Sequence, residues 1–189
     1  MGNMVRFPVE KYASLEMNQC AFQKTGLVVS QTPLGFDGCE NGMWVLANKA
    51  TGELNPVGAV TDTPIGICYT TEKEYTYSDY GLKNHVWNKG DYPRVGIFQL
   101  GDTVTSNCFQ YDESEFPADT SQGVETTADA LYAALAAWAT TPVYVAPVAD
   151  SPVPQLTLSK PGSGMYGQVT KFYTVPNGEK GVKYEIVHM

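Results

Sequence analysis

The chain has 189 residues and a formal net charge of −8, with 12 Lys and Arg against 20 Asp and Glu. The basic residues are scattered singly, so the positive stripe that direct nucleic-acid binding requires is missing. A chain of this length buries about 70 % of its unfolded surface in one domain and needs neither disulfides nor a metal to fold.

The opening segment, "MGNMVRFPVEKY", lacks the apolar run of a secretory leader. Arg6 stands where a myristoylation signal wants Ser or Thr. No window approaches 18 uninterrupted apolar residues, so no membrane span is expected. Residues 1–25 read as an extended N-terminal arm or an edge strand, and residues 26–189 as one β-rich domain. The 12 Tyr, 7 Phe and 3 Trp favour strands, while 18 Gly and 12 Pro imply many turns. From Gly26 onward, "GLVVS", "GMWVLANKA", "PIGICYT", "HVWNKG", "RVGIFQL" and "DTVTSNCFQY" each read as a strand bounded by turn formers. "TGELNPVG" reads as a break between strands. Gly66, inside "PIGICYT", marks a bulge or a close approach of two backbones.

"VETTADALYAALAAWATTP" departs from this rhythm and predicts a helix near 127–139. Thr126 or Thr127 can cap it, Asp129 suits its first turn, and Pro142 marks its end. Leu131, Leu135 and Trp138 recur at helical spacing and form one apolar stripe, for which the expected seat is the β-domain itself. Beyond it, "TPVYVAPV" reads as a strand, "ADSPVPQ" as a Pro-rich connection, and "LTLSKPG" as a strand ending in a glycine loop. "QVTKFYTV" and "GVKYEIV" alternate around "PNGEKG" and predict a C-terminal β-hairpin. The expected fold class is therefore mainly β, a barrel or sandwich with one Ala-rich helix and a C-terminal hairpin.

Several motifs invite a chemical reading. "PGSGMYG" spaces Gly162, Gly164 and Gly167 as G-x-G-x-x-G, but a dinucleotide site needs a helix to open there. The β-branched and aromatic run after Gly167 predicts a strand, so no cofactor is expected. "DGCENG" begins like a calcium loop, yet Cys39 and Asn48 fall where carboxylates are required. Asp112, Glu113, Glu115 and Asp119 read as a solvated acidic loop. The two histidines, His85 and His188, form no nucleophile–base pattern with a Ser or Cys, and there is no G-x-S-x-G elbow. The cysteines, Cys20, Cys39, Cys68 and Cys108, lack C-x-x-C spacing and read as small buried apolar residues in a reducing compartment. No catalytic, cofactor or metal residue is nominated, and no enzymatic activity is expected.

The segment from Gly26 to Tyr111 carries the strand–turn wording "NGMWVLANKATGELNPVGAVTDTPIGICYTTEKEYTY" and "GDYPRVGIFQLGDTVTSNCF". In this it resembles the small β-rich decoration, or cement, proteins of tailed-bacteriophage heads. The resemblance implies a structural virion protein assembled in the bacterial cytoplasm, bound to the major capsid protein and forming a homo-oligomer, a trimer among the candidates. It carries over no active-site residues. The N-terminal residues Phe7, Pro8 and Tyr12 are then candidates for an arm that adds a strand to a neighbour. Two alternatives stand beside it: a tail or head-fibre component, and a carbohydrate-binding module stacking sugars on Tyr75, Tyr77, Tyr80 and Trp87. Tyr75 and Tyr77 alternate onto one strand face, where packing against a neighbour is the plainer expectation.

Overall fold

The computed structural model describes residues 3–7, 32–48, 50–62, 64–69, 85–174 and 179–189. Its strands run in chain order as β1 (Met4–Arg6), β2 (Cys39–Glu40), β3 (Trp44–Asn48), β4 (Glu53–Pro56), β5 (Ile65–Tyr69), β6 (Val86–Trp87) and β7 (Arg94–Ile97). They continue as β8 (Thr103–Ser106) and β9 (Gln110–Asp112), then α1 (Thr127–Ala136). The chain closes with β10 (Tyr144–Val148), β11 (Ser151–Thr157), β12 (Tyr166–Thr174) and β13 (Lys180–His188). The fold is mainly β with one α-helix among the described residues. "GLVVS" lies outside them.

Three sheets form. The largest has the order β1-β9-β11-β10-β12-β13-β8, the second β4-β3-β5-β7, and β2 pairs with β6 in a short ribbon. Every pairing is antiparallel except β9 with β11. The seven-stranded sheet is strongly curled. β8 forms one edge and β9 lies next to the other, yet only Asn107–Phe109 separates them in the chain. Four extended residues reach at most about 14 Å, so the two ends of the sheet must approach each other. They do not pair, and the sheet stays open rather than closing into a barrel.

The main core fills this curl. Val104, Phe109, Tyr111, Val145, Leu156, Val169, Val182, Tyr184 and Ile186 point into it, and the four-stranded sheet adds Trp44, Ile65 and Ile67. Helix α1 contributes Leu131 and Leu135, both fully buried. Its start follows the sequence: Thr126 Oγ1 accepts the Asp129 N–H at 3.1 Å, while Asp129 Oδ2 accepts the Thr126 N–H at 3.1 Å. This reciprocal cap satisfies donors the first turn would otherwise leave open. The helix ends at Ala136, and turns carry the chain on through Thr140. A second core, with Val45, Cys68, Val95 and Ile97, lies on the other face of the four-stranded sheet, against Cys39 and Trp87 of the ribbon. The protein is thus layered as curled sheet, central sheet and capping ribbon.

Gly66 is needed for close approach, not for a bulge. A Cβ there would collide with Val95 of β7, while the β5–β7 register stays regular. Three other expectations need correction. "TGELNPVG" contains the strand β4, because Asn48–Gly52 makes the turn and Gly52 adopts φ 71°. Pro56 is tolerated since β4 is the outer strand of its sheet. "DTVTSNCFQY" forms two strands, since Ser106 Oγ accepts the Cys108 N–H at 2.9 Å and turns the chain. "ADSPVPQ" is mostly strand β11 despite Pro152 and Pro154. β9 pairs with β11 only at Gln155 and Leu156, past both prolines, and Gln110 Nε2 donates to the Val153 carbonyl at 2.7 Å in their vicinity.

Candidate functional site

Of the residues nominated for partner binding, Pro8, Tyr12, Tyr75 and Tyr77 lie outside the described residues, as does Tyr80. Phe7 and Trp87 are described, and both are spent on this chain's own interior. Phe7 is fully buried and meets Phe109 edge-on at 5.9 Å and Tyr132 at 6.0 Å. Its N–H donates to the Phe109 carbonyl at 2.7 Å, which continues the pairing of β1 with β9. Met4–Arg6 is therefore an edge strand of the large sheet, and Phe7 is a core residue, not an exposed anchor on an arm. Arg6 ties this strand to Glu40 of the capping ribbon through two contacts of 3.2 and 3.0 Å. Trp87 is 8 % exposed and packs edge-on against His85 at 4.6 Å. An aromatic ring in that position has no free face for a sugar, which removes Trp87 from the stacking platform.

The motif residues have structural employment. "PGSGMYG" connects β11 to β12, and Gly167 lies within β12. Gly164 has φ 77°, and a Cβ there would strike the Val60 carbonyl. Its own carbonyl meets His188 Nδ1 at 2.8 Å, and the His188 ring stacks on Tyr166 at 5.1 Å. In the acidic loop, Asp112 accepts from the Ser114 N–H and hydroxyl at 2.8 and 2.7 Å. The Ser114 contacts hold its carboxyl below the ordinary range. Glu115 accepts from the Thr157 hydroxyl at 2.8 Å and the Leu158 N–H at 2.8 Å. Asp119 caps the short 3-10 turn at Thr120–Gln122. These carboxylates organise turns and do not converge on a common point. Among the described residues no group of three His, Cys, Asp or Glu is arranged for a metal ion.

Two surface features stand out among the described residues. One is an open groove of about 380 Å³ between Leu46, Asn48, Asn55, Pro56, Asp62 and Asp150. Its polar groups are largely engaged: Asn48 Oδ1 accepts the Ala50 N–H and Asp62 Oδ2 the Ala59 N–H. The other lies at one end of the β12–β13 hairpin. There Gly164 sits against Val60 and His188 against Gly164, and the Gly101 N–H donates to the Ile186 carbonyl at 2.8 Å. The segments these contacts join carry the exposed apolar side chains Val60, Leu100, Val187 and Met189, which are exposed by 41, 60, 37 and 42 %. Sequence reading passed over all four, because they come from three separate segments, around Val60, around Leu100 and at the C-terminus, that only the tertiary fold joins. The outward position of Val187 had a local signal, since it follows Ile186 in an alternating strand.

No protein-family model, curated protein or solved structure matches the chain.

Proposed function

We propose that the chain is a structural virion protein, a decoration or cement protein of a tailed-bacteriophage head that binds the major capsid protein and catalyses nothing. The observation that carries this reading is the apolar end of the β12–β13 hairpin, with Val60, Leu100, Val187 and Met189 outward. It is mounted on a layered β-frame whose polar motif residues are absorbed in turns. Exposed apolar side chains on segments that meet at one end of a stiff scaffold suit docking onto a protein lattice. The resemblance of residues 26–111 to phage decoration proteins supports the same reading. Self-association that follows lattice symmetry belongs to this role, and the net charge of −8 keeps unassembled copies soluble.

Rate-zonal sedimentation of a native lysate, with the chain followed by mass spectrometry across the gradient, tests the proposal. Co-migration with megadalton particles and a capsid protein is expected. Leu100→Asp together with Val60→Asp should release the chain from those particles while leaving its thermal melt unchanged. A chain that stays among small proteins sinks the reading.

A further inference from the structure

Cys39, Cys68 and Cys108 are fully buried in the second core and carry no disulfide. Two of them belong to different layers: Cys39 stands on β2 of the capping ribbon and Cys68 on β5 of the central sheet. The segment between β2 and β3 laces these layers together. The Gly42 N–H donates to the Cys68 carbonyl at 2.9 Å, and the Cys68 N–H donates to the Met43 carbonyl at 2.9 Å. Cα atoms of β2 and β5 come within 8 Å of each other, and Cys39 and Cys68 lie fully buried in the same cluster. The neighbouring Cys68 side chain and burial raise the Cys39 thiol well above its usual range.

From this juxtaposition we infer that Cys39 and Cys68 are a latent disulfide site, oxidised by hydrogen peroxide, that fastens the capping ribbon to the central sheet. The chemistry balances. One sulfur, as thiolate, attacks a peroxide oxygen, breaks the O–O bond and expels hydroxide, leaving a sulfenic acid. The second thiolate attacks that sulfur, forms the S–S bond and expels a second hydroxide. The two thiol protons convert both hydroxides to water, and the two electrons lost by sulfur reduce the peroxide. Neither thiol is exposed, so reaction requires the ribbon to open. A ribbon of two-residue strands opens more readily than the sheets beneath it. Cys108 lies in the same core but is anchored on the β8–β9 turn, and burial pushes its thiol up.

The test uses the full chain, purified reduced and then exposed to hydrogen peroxide, alkylated, and digested with trypsin without reduction. The four cysteines fall in separate tryptic peptides, 12–24, 25–49, 50–73 and 95–171. The linked pair 25–49 with 50–73 is expected as the main oxidised product. It should vanish in Cys39→Ser and in Cys68→Ser, persist in Cys108→Ser, and raise the melting temperature of the wild-type chain. Thiols that remain alkylatable, oxidation that stops at sulfinic acid, or a main link to Cys20 or Cys108 would each overturn the assignment. A Cys39–Cys68 link that lowers the melting temperature would overturn the fastening role. If a serine variant fails to fold, the map of the wild-type chain and of Cys39→Ala still decides the matter.

Discussion

The indole Nε1 of Trp44 donates to the hydroxyl of Tyr184 at 3.2 Å, with both side chains buried. Trp44 belongs to the central sheet and Tyr184 to the curled one, so this hydrogen bond crosses between the two layers within the main apolar core. Phe98 and Phe109 pack edge-on around it, at 5.2 Å from Trp44 and 5.8 Å from Tyr184. The arrangement fixes how the two layers register, since a sheet slid by one residue would bury the indole N–H without this acceptor.

Tyr184→Phe therefore removes the acceptor and keeps the ring. The expected cost is about 1–3 kcal/mol, the penalty for a buried donor left unsatisfied. Urea unfolding followed by tryptophan fluorescence measures it. A midpoint unchanged from wild type would mean that the hydrogen bond contributes nothing to the packing of the two sheets.

The helix offers a second measurement. Leu131 and Leu135 are fully buried in the main core, whereas Trp138, beyond the last helical turn, is only partly buried against it. Leu131→Ala and Leu135→Ala should each cost about 2–5 kcal/mol, and Trp138→Ala less than either. Thr126→Ala loses the cap and should cost about 1 kcal/mol. Thermal melts of the four variants give the order directly. Equal melting of Leu131→Ala and wild type would show that α1 does not seal the core.

What the sequence disclosed follows from how local each signal was. The helix cap at Thr126 or Thr127 with Asp129 in the first turn, the hairpin of β12 and β13, and Gly66 as either a bulge or a close approach are written within a few residues, and the structure selects Thr126 and the close approach. The curl of the large sheet was not, because it depends on β8 and β9 lying at opposite ends of a strand order that no short stretch records. Pro152 and Pro154 misled for a related reason. A proline removes a ladder donor locally, but β9 pairs with β11 only past both prolines, and that partner strand is distant in the chain. Phe7 and Trp87 looked available because aromatic residues near a terminus or in a Tyr-rich run suit binding. Their burial is a tertiary fact, set by Phe109 and Tyr132 for one and by His85 for the other.

The glycine loop supplies the last prediction, because its three glycines stand in different surroundings. At Gly162 a Cβ would meet nothing within 4 Å. At Gly164 it would meet the Val60 carbonyl, at a φ of 77° that side chains rarely adopt. At Gly167 it would lie 2.8 Å from the Tyr184 ring and 3.0 Å from the Glu185 carbonyl. Gly162→Ala should melt like wild type, or slightly higher from the reduced freedom of the unfolded chain. Gly164→Ala and Gly167→Ala should both melt lower, Gly164→Ala the more so because backbone on both sides must move. A nucleotide loop would give a different pattern, in which added dinucleotide raises the melting temperature of the wild-type chain and Gly162→Ala abolishes that rise. Differential scanning fluorimetry of the three variants, with and without dinucleotide, separates the two. A ligand-dependent rise would show that these glycines serve a phosphate as well as the fold.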